Sequence, residues 1–170
     1  EHLKKDCWRR SVFGDKTLLM IPIPRDFRDF IHLLNEQGVR YLVVGGYAVA
    51  FHGYPRVTGD LDVFVELAQE NAKALVRVFE LFGFKSGQFE PDFFLDKGQV
   101  IRIGRTPLKL EIMNEISGVS FEDCYRNRIQ TQIEGLSVNF INLAELIANK
   151  RSTGRAKDAA DIENLGGELD

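Results

Sequence analysis

The stretch that decides the fold runs from position 40 to position 65 and reads RYLVVGGYAVAFHGYPRVTGDLDVFV. Residues 40–44 are a short β-prone run, and the glycine pair at 45–46 predicts a tight turn at its end. The apolar residues of 47–52 predict a helix, and the alternation over 59–65 is typical of a half-buried strand. The stretch is therefore predicted as strand, glycine turn, helix and strand.

Outward from this stretch, helical periodicity predicts helices over residues 25–37 and 69–82. Further along, two pairs of β-prone runs are each separated by residues typical of turns, and helices are predicted at Asn142 and near Ala156. The paired runs cover residues 100–103 with 108–113, and 129–133 with 136–141. Residues 83–99 have no clear pattern. Hairpins of this kind exclude an all-parallel sheet, so the predicted fold class is α+β (mixed α/β).

The composition fits one globular domain. The chain has 170 residues, 44% of them hydrophobic, with 22 Lys and Arg against 25 Asp and Glu, which gives a net charge of −3. A chain of this size has no room for a second full catalytic domain. We expect the domain to span residues 25–170, with residues 1–24 as an N-terminal extension.

The composition also limits where the protein is located and what it binds. No apolar stretch approaches the roughly 20 residues of a membrane span, and the start lacks a signal-peptide pattern. Cys7 and Cys124 are far apart without metal-type neighbours, so a cytoplasmic protein without disulfides is expected. The negative charge argues against non-specific coating of nucleic acid but allows a local basic patch.

Two aspartates on the second strand carry the chemistry. Asp60 and Asp62 are two positions apart, so both carboxylates project from one face of the strand. A divalent cation such as Mg²⁺ or Mn²⁺ would offset their repulsion, although a solvated edge strand would show the same pattern. Glu111 lies on the more polar face of the predicted strand 108–113. If the two strands are neighbours, it supplies a third carboxylate for metal-assisted phosphoryl chemistry.

Phosphate binding is predicted at two places. Gly45 and Gly46 let the backbone approach a ligand at a helix start, which makes a phosphate cradle, although a simple tight turn fits as well. The run from Lys150 to Lys157 contains four cations, Arg155 among them. These cations would neutralise the negative charge of a triphosphate. In a purely structural role the run would instead bind two helices together, and the nearby acids would cap the last helix.

In these motifs the chain resembles the polymerase-beta-like nucleotidyltransferase superfamily, and in particular small bacterial single-domain members without an assigned function. The glycine pair, the D-x-D at 60–62 and the later strand acid match the superfamily pattern. The closer similarity rests on ordered segments at 45–48, 52–53, 55–62, 116–122 and 150–161. The resemblance covers roughly residues 27–165.

The resemblance implies a nucleotidyltransferase-like mixed sheet with flanking helices, and transfer of a nucleoside monophosphate from an NTP to a hydroxyl acceptor with release of pyrophosphate. Asp60, Asp62 and Glu111 would hold the metal, and Glu111 would help to deprotonate the acceptor. Arg56, together with the C-terminal cations at 150, 155 and 157, would bind phosphate. The acceptor stays open between a small molecule, tRNA and protein, and a partner subunit would help to cover the cleft.

Two residues depart from the superfamily pattern. Tyr47 replaces a serine that touches phosphate in many relatives, and Glu111 replaces the commoner aspartate. They support an alternative interpretation, in which the chain is a weakly active or inactive nucleotide-binding module, such as a toxin–antitoxin component. His52 is expected to be structural.

Overall fold

A computed structural model describes residues 22–167. Within that range, helices α1 to α6 are Arg25–Glu36, Gly45–Phe51, Gln69–Phe82, Phe121–Arg126, Leu143–Thr153 and Ala156–Asn164. Strands β1 to β6 are Tyr41–Val44, Asp60–Val65, Val100–Arg105, Leu108–Met113, Ile129–Ile133 and Leu136–Phe140, and Pro91–Phe94 is a 3₁₀ turn. The extension expected over residues 1–24 lies mostly outside the described residues, and so does Cys7.

The strands form one mixed sheet, which confirms the predicted fold class. Its order is β3-β4-β2-β1-β6-β5. The hairpins β3/β4 and β5/β6 are antiparallel, as is the pair β1/β2, whereas β2 pairs with β4 and β1 with β6 in parallel. The long connection from β1 to its parallel neighbour β6 contains α2, α3 and α4, and the connection from β2 to β4 contains α3. The strand with the D-x-D motif therefore lies near the middle of the sheet.

The apolar residues whose spacing predicts the helices and strands form the buried core. Helix α1 buries Phe27, Phe30, Ile31 and Leu34, the spacing of one apolar helix face. Its Phe30 ring meets the Phe79 ring of α3 edge to face, with 6.2 Å between centroids. Along β2, Leu61, Val63 and Val65 are buried, as the alternation requires. These side chains cover one face of β2 and leave its aspartates on the other.

Several boundaries differ from the sequence prediction. Helix α2 begins at Gly45, so the glycine pair belongs to its first turn and not to a preceding turn. Strand β3 continues to Arg105, which leaves two residues to join it to β4. Helix α4 was not predicted, because its six residues are too few to show a period. Ser120 begins it by accepting a hydrogen bond from the Asp123 N–H at 3.2 Å.

The segment over residues 83–99, which has no sequence pattern, is ordered by aromatic packing. The ring of Phe79 lies 5.0 to 5.3 Å from the rings of Phe84, Phe89 and Phe94. Such contacts between sequence-distant rings stabilise an irregular chain without producing a periodic pattern. No helix within residues 22–167 has both the length and the apolar character needed to cross a membrane.

Candidate active site

One cavity gathers every predicted site residue. It has a volume of about 660 Å³ and lies over the face of β2 that carries the aspartates. The lining includes Gly45, Gly46, Arg56, Asp60, Asp62, Glu111, Lys150, Arg155 and Lys157. These residues come from three separate regions of the sequence, so their meeting is a property of the fold.

The three predicted carboxylates lie on neighbouring strands. Strand β2 pairs with β4 in parallel, and the register places Asp62 beside Glu111. Neighbouring strands are about 4.8 Å apart, and side chains at paired positions share a face. The strand adjacency on which the third carboxylate depends is thus confirmed. On the next strand, Arg102 of β3 is the register partner of Glu111.

Asp62 carries the strongest electrostatic perturbation of the site. Burial, followed by the charges of Glu111 and Asp60, raises the pKa of the Asp62 carboxyl to about 7. A hydrogen bond from the Gly46 N–H and the charge of Lys150 act in the opposite direction. The ionised form of Asp62 is therefore destabilised in the free protein, and a cation bound at this position would stabilise it.

The start of α2 is built around this carboxylate. Gly45 has φ +61°, and a Cβ placed on it would lie 1.9 Å from the Asp62 Oδ2 atom. The predicted phosphate cradle therefore has the Asp62 carboxylate directly beside it. Tyr47, next in sequence, is buried and meets the Phe27 ring edge to face, so its hydroxyl is not part of the cradle.

Substituting Gly45 by Ala tests this close approach. We expect a loss of about 3 kcal/mol in the free energy of unfolding, because both the left-handed backbone and the contact with Asp62 oppose a side chain. Gly38→Ala is the matched control, since Gly38 has φ +66° and a Cβ added there would meet no other atom within 4 Å. Its loss should be about 1 kcal/mol. Equal losses in urea denaturation would show that the Asp62 contact is unimportant.

Lys150 is held in a buried ion network with two acids of helix α6. The Lys150 Nζ atom lies 2.8 Å from Asp158 and 2.7 Å from Asp161. Arg56 contacts Asp161 at 3.0 Å, which joins the loop before β2 to helix α6. Lys150 is 5% exposed and Asp161 is 2% exposed in their side chains. The run therefore links α5 to α6, as predicted for its structural role.

The acids of this network make no capping hydrogen bond to α6, although Asp158 lies in its first turn, where the sequence interpretation places it. Asp158 accepts hydrogen bonds from the Lys150 Nζ at 2.8 Å and from the Thr153 Oγ1 at 2.5 Å. Burial opposes ionisation, yet these two donors lower the pKa of Asp158 below its ordinary value. Arg155 lies 3.7 Å from Asp158 and is 75% exposed. The exposed Arg155 and Lys157 line the cavity together with Lys150 and Arg56, and these four cations are called the basic wall.

The donor set is suited to a cation that also binds phosphate. Within residues 22–167 no three His, Cys, Asp or Glu side chains are arranged to hold a metal by themselves. Glu111 instead accepts a hydrogen bond from the Arg102 Nε atom at 2.7 Å. Asp60 and Asp62 make no salt bridge with any other described residue, so their oxygens are available. Because Mg²⁺ commonly takes one or two carboxylates and completes its shell with phosphate and water, these residues fit it.

Arg102 is a cavity residue that sequence reasoning missed, and Asp161 is a buried partner of two cavity cations, Lys150 and Arg56. Arg102 is the one charged residue of the predicted β run 100–103, yet only the register shows which acid it faces. Asp161 looks like a helix-start acid, and its cationic partner Arg56 is 105 positions away. His52 is structural, as expected: its ring lies 2.8 Å from the Ile141 carbonyl oxygen, and burial lowers its pKa. Cys124 is buried and unpaired.

The fold and this cavity define a nucleotidyltransferase-like protein. The family model described as "Nucleotidyltransferase of unknown function (DUF6036)" matches residues 25–167, and the chain belongs to that family. No curated protein matches the chain.

Two solved structures are similar in fold. A "putative nucleotidyltransferase" from Thermotoga maritima has a TM-score of 0.55 and 18% identity, with coverage of 82% of this chain and 89% of that one. A nucleotidyltransferase-like antigenic protein from Paracoccidioides brasiliensis has a TM-score of 0.48 and 16% identity, with coverage of 85% and 76%. The likeness to the Thermotoga protein shows the fold alone, because the identity is low.

Proposed function

We propose that the protein is a metal-dependent nucleotidyltransferase, which moves a nucleoside monophosphate from an NTP to a hydroxyl acceptor and releases pyrophosphate. One observation carries the proposal: the Asp62 and Glu111 carboxylates stand side by side in a cavity that also contains a basic wall. Metal-binding oxygens beside phosphate-binding cations are the combination that this chemistry requires. Membership of the nucleotidyltransferase family supports the same reaction class.

In the proposed site, Asp60, Asp62 and Glu111 would hold Mg²⁺ or Mn²⁺ together with the phosphates. When bound, the ion would neutralise phosphate charge and polarise the α-phosphate. Arg155 and Lys157 would bind the triphosphate directly because both are exposed, and Lys150 and Arg56 would add positive charge from within the ion network. Gly45 and Gly46 would form the floor beside the phosphates.

The transfer itself would be an in-line displacement. The acceptor oxygen forms a bond to the α-phosphorus as the bond from that phosphorus to the oxygen bridging to the β-phosphate breaks. Glu111 would take the hydroxyl proton, and pyrophosphate would leave toward Arg155 and Lys157. A small molecule, a tRNA end and a protein hydroxyl are the acceptor classes we propose, with a partner subunit covering the open side of the cleft.

A labelled-transfer experiment tests the activity. The protein is incubated with each α-labelled NTP, Mg²⁺ or Mn²⁺, and separate pools of small molecules, tRNA and protein. We expect label in one pool and release of pyrophosphate, both lost in the double variant Asp60→Ala/Asp62→Ala. Equal transfer by the wild type and the double variant would contradict the proposal.

The second candidate is a nucleotide-binding module without turnover, such as a toxin–antitoxin component. The salt bridge between Glu111 and Arg102 favours it, because a carboxylate that stays on an arginine neither binds metal nor accepts a proton. Calorimetry separates the two functions: metal-dependent NTP binding with no pyrophosphate release in any acceptor pool would support the module, and turnover would exclude it.

A further inference from the structure

The salt bridge on strand β3 suggests how the site changes when it is filled. Resting on the function proposed above, we propose that Arg102 is a positioning residue that exchanges partners: it holds Glu111 in the empty protein and moves to the NTP phosphates when a divalent cation takes the Glu111 carboxylate. Neither the family match nor the motif resemblance assigns Arg102 a role.

The register of strands β2, β4 and β3 places Glu111 between an acid and a cation. Glu111 on β4 is flanked by Arg102 on β3 and by Asp62 on β2, so a cation and an acid face it from opposite sides. The Arg102 Nε atom lies 2.7 Å from the Glu111 Oε1 atom. Cross-strand neighbours on one face are about 5 Å apart, which leaves Glu111 within reach of either side by side-chain rotation.

Charge balance explains why the empty site needs Arg102. Like charges opposite each other on neighbouring strands repel, and Asp62 and Glu111 form such a pair. Lys150 is engaged with Asp158 and Asp161, whereas Arg102 contacts Glu111 directly. A divalent cation bound between Asp62 and Glu111 would remove this repulsion, so Glu111 would no longer require Arg102 as its charge partner.

The position of Arg102 makes the exchange feasible. Its side chain is 65% exposed, whereas that of Glu111 is 22% exposed, and both residues line the cavity. Exposed ion pairs are weak and exchange readily. Arginine also binds phosphate oxygens with two N–H groups, so a triphosphate in the same cavity is a stronger partner than one carboxylate. No strand needs to move.

The exchange predicts effects of opposite sign in one variant. Mn²⁺ binding to nucleotide-free protein is measured by calorimetry or by electron paramagnetic resonance, and tripolyphosphate binding is then measured in saturating Mn²⁺. In Arg102→Gln we expect Mn²⁺ to bind about 3- to 10-fold more tightly, because the metal no longer competes with arginine. Tripolyphosphate should bind about 5-fold or more weakly, because a phosphate partner is lost.

Arg105→Gln is the matched control, because Arg105 is exposed on the same strand but does not line the cavity. It removes the same charge and should change either affinity by less than about twofold. Asp62→Asn reports on the proposed function itself and should abolish Mn²⁺ binding. Circular dichroism and thermal melts verify that each variant is folded.

The outcomes separate the two proposals. Wild-type protein that binds neither Mn²⁺ nor tripolyphosphate would overturn the proposed function, and this inference with it. Wild-type binding that depends on Asp62, combined with unchanged or weaker Mn²⁺ binding in Arg102→Gln, would overturn the exchange alone. Unchanged tripolyphosphate binding in Arg102→Gln would also overturn it, since a purely structural salt bridge predicts that result.

Discussion

Replacing Asp62 by Asn is expected to abolish nucleotidyl transfer and, at the same time, to stabilise the folded protein at pH 8. The amide keeps the size of the carboxyl but loses the negative charge that would bind metal, so we expect a fall in rate on the order of 1,000-fold. Stability should rise because the folded protein holds ionised Asp62 near two other acids. A gain in stability on loss of activity is typical of functional residues.

The pH dependence gives the sign and the size of this effect. Asp62 has a pKa of about 7 in the folded protein and an ordinary value of 3.8, so between about pH 4 and pH 7 the folded state binds more protons than the unfolded state. Its contribution to stability therefore falls as the pH rises through that window and is constant above it. The shift corresponds to about 4 kcal/mol at most, and solvent access reduces it to on the order of 2 kcal/mol.

Urea denaturation at pH 5 and pH 8 measures this effect. Asp62→Asn should exceed the wild type by on the order of 2 kcal/mol at pH 8 and by on the order of 1 kcal/mol at pH 5, because the carboxyl of the unfolded chain is already ionised at pH 5. Asp29→Asn is the control, because Asp29 lies on an exposed helix surface and is 59% exposed in its side chain. A variant that is less stable than the wild type at both pH values would contradict the account of Asp62.

Replacing Lys150 by Met should cause a large loss in the free energy of unfolding. The change removes the cation that contacts both Asp158 and Asp161. Water cannot readily replace it, because the Lys150 side chain is only 5% exposed. Removing one partner of a buried ion pair costs about 3–5 kcal/mol, a large part of the 5–15 kcal/mol that stabilises a typical domain. Because Arg56 still contacts Asp161, we expect a value near the lower end, about 3 kcal/mol.

A compensating variant distinguishes buried charge from lost packing. Lys150→Met/Asp158→Asn removes the uncompensated carboxylate and should recover about 1 kcal/mol or more, measured by the same denaturation. Lys73→Met is the exposed control, since Lys73 pairs with Glu70 on the surface, and it should change stability by less than about 0.5 kcal/mol. A loss below about 1 kcal/mol for Lys150→Met would mean that the network does not support the fold.

Elements with a clear period were predictable from the sequence. Helices α1 and α3 and strand β2 show the 3.6- or 2-residue spacing of buried apolar side chains, and their ranges differ from the prediction by no more than one residue at each end. The shared face of Asp60 and Asp62 also follows from a local pattern, the alternation of a strand. Their meeting with the distant cations at 150–157 is expected from the motif resemblance alone, and it is the fold that produces it.

What could not be predicted depends on contacts between distant residues. The register of β3 on β4 determines which residue lies beside Glu111. Nothing in the composition of either strand predicts that this residue is Arg102. The close approach of the Asp62 carboxylate to Gly45 depends on the backbone position of α2 relative to β2. Helix α4 is determined by packing, because its Phe121 ring lies 5.1 Å from the ring of buried Phe64.

The most direct test of the central claim, that the aspartates and the basic wall form one metal and nucleotide site, is a crystal soaked with Mn²⁺ and a non-hydrolysable NTP analogue. We predict an anomalous manganese peak about 2.2 Å from carboxylate oxygens of Asp60 and Asp62, with phosphate oxygens in the same coordination shell. The analogue's phosphates should lie against Arg155 and Lys157. Manganese elsewhere, or phosphates bound away from the aspartates, would contradict the account.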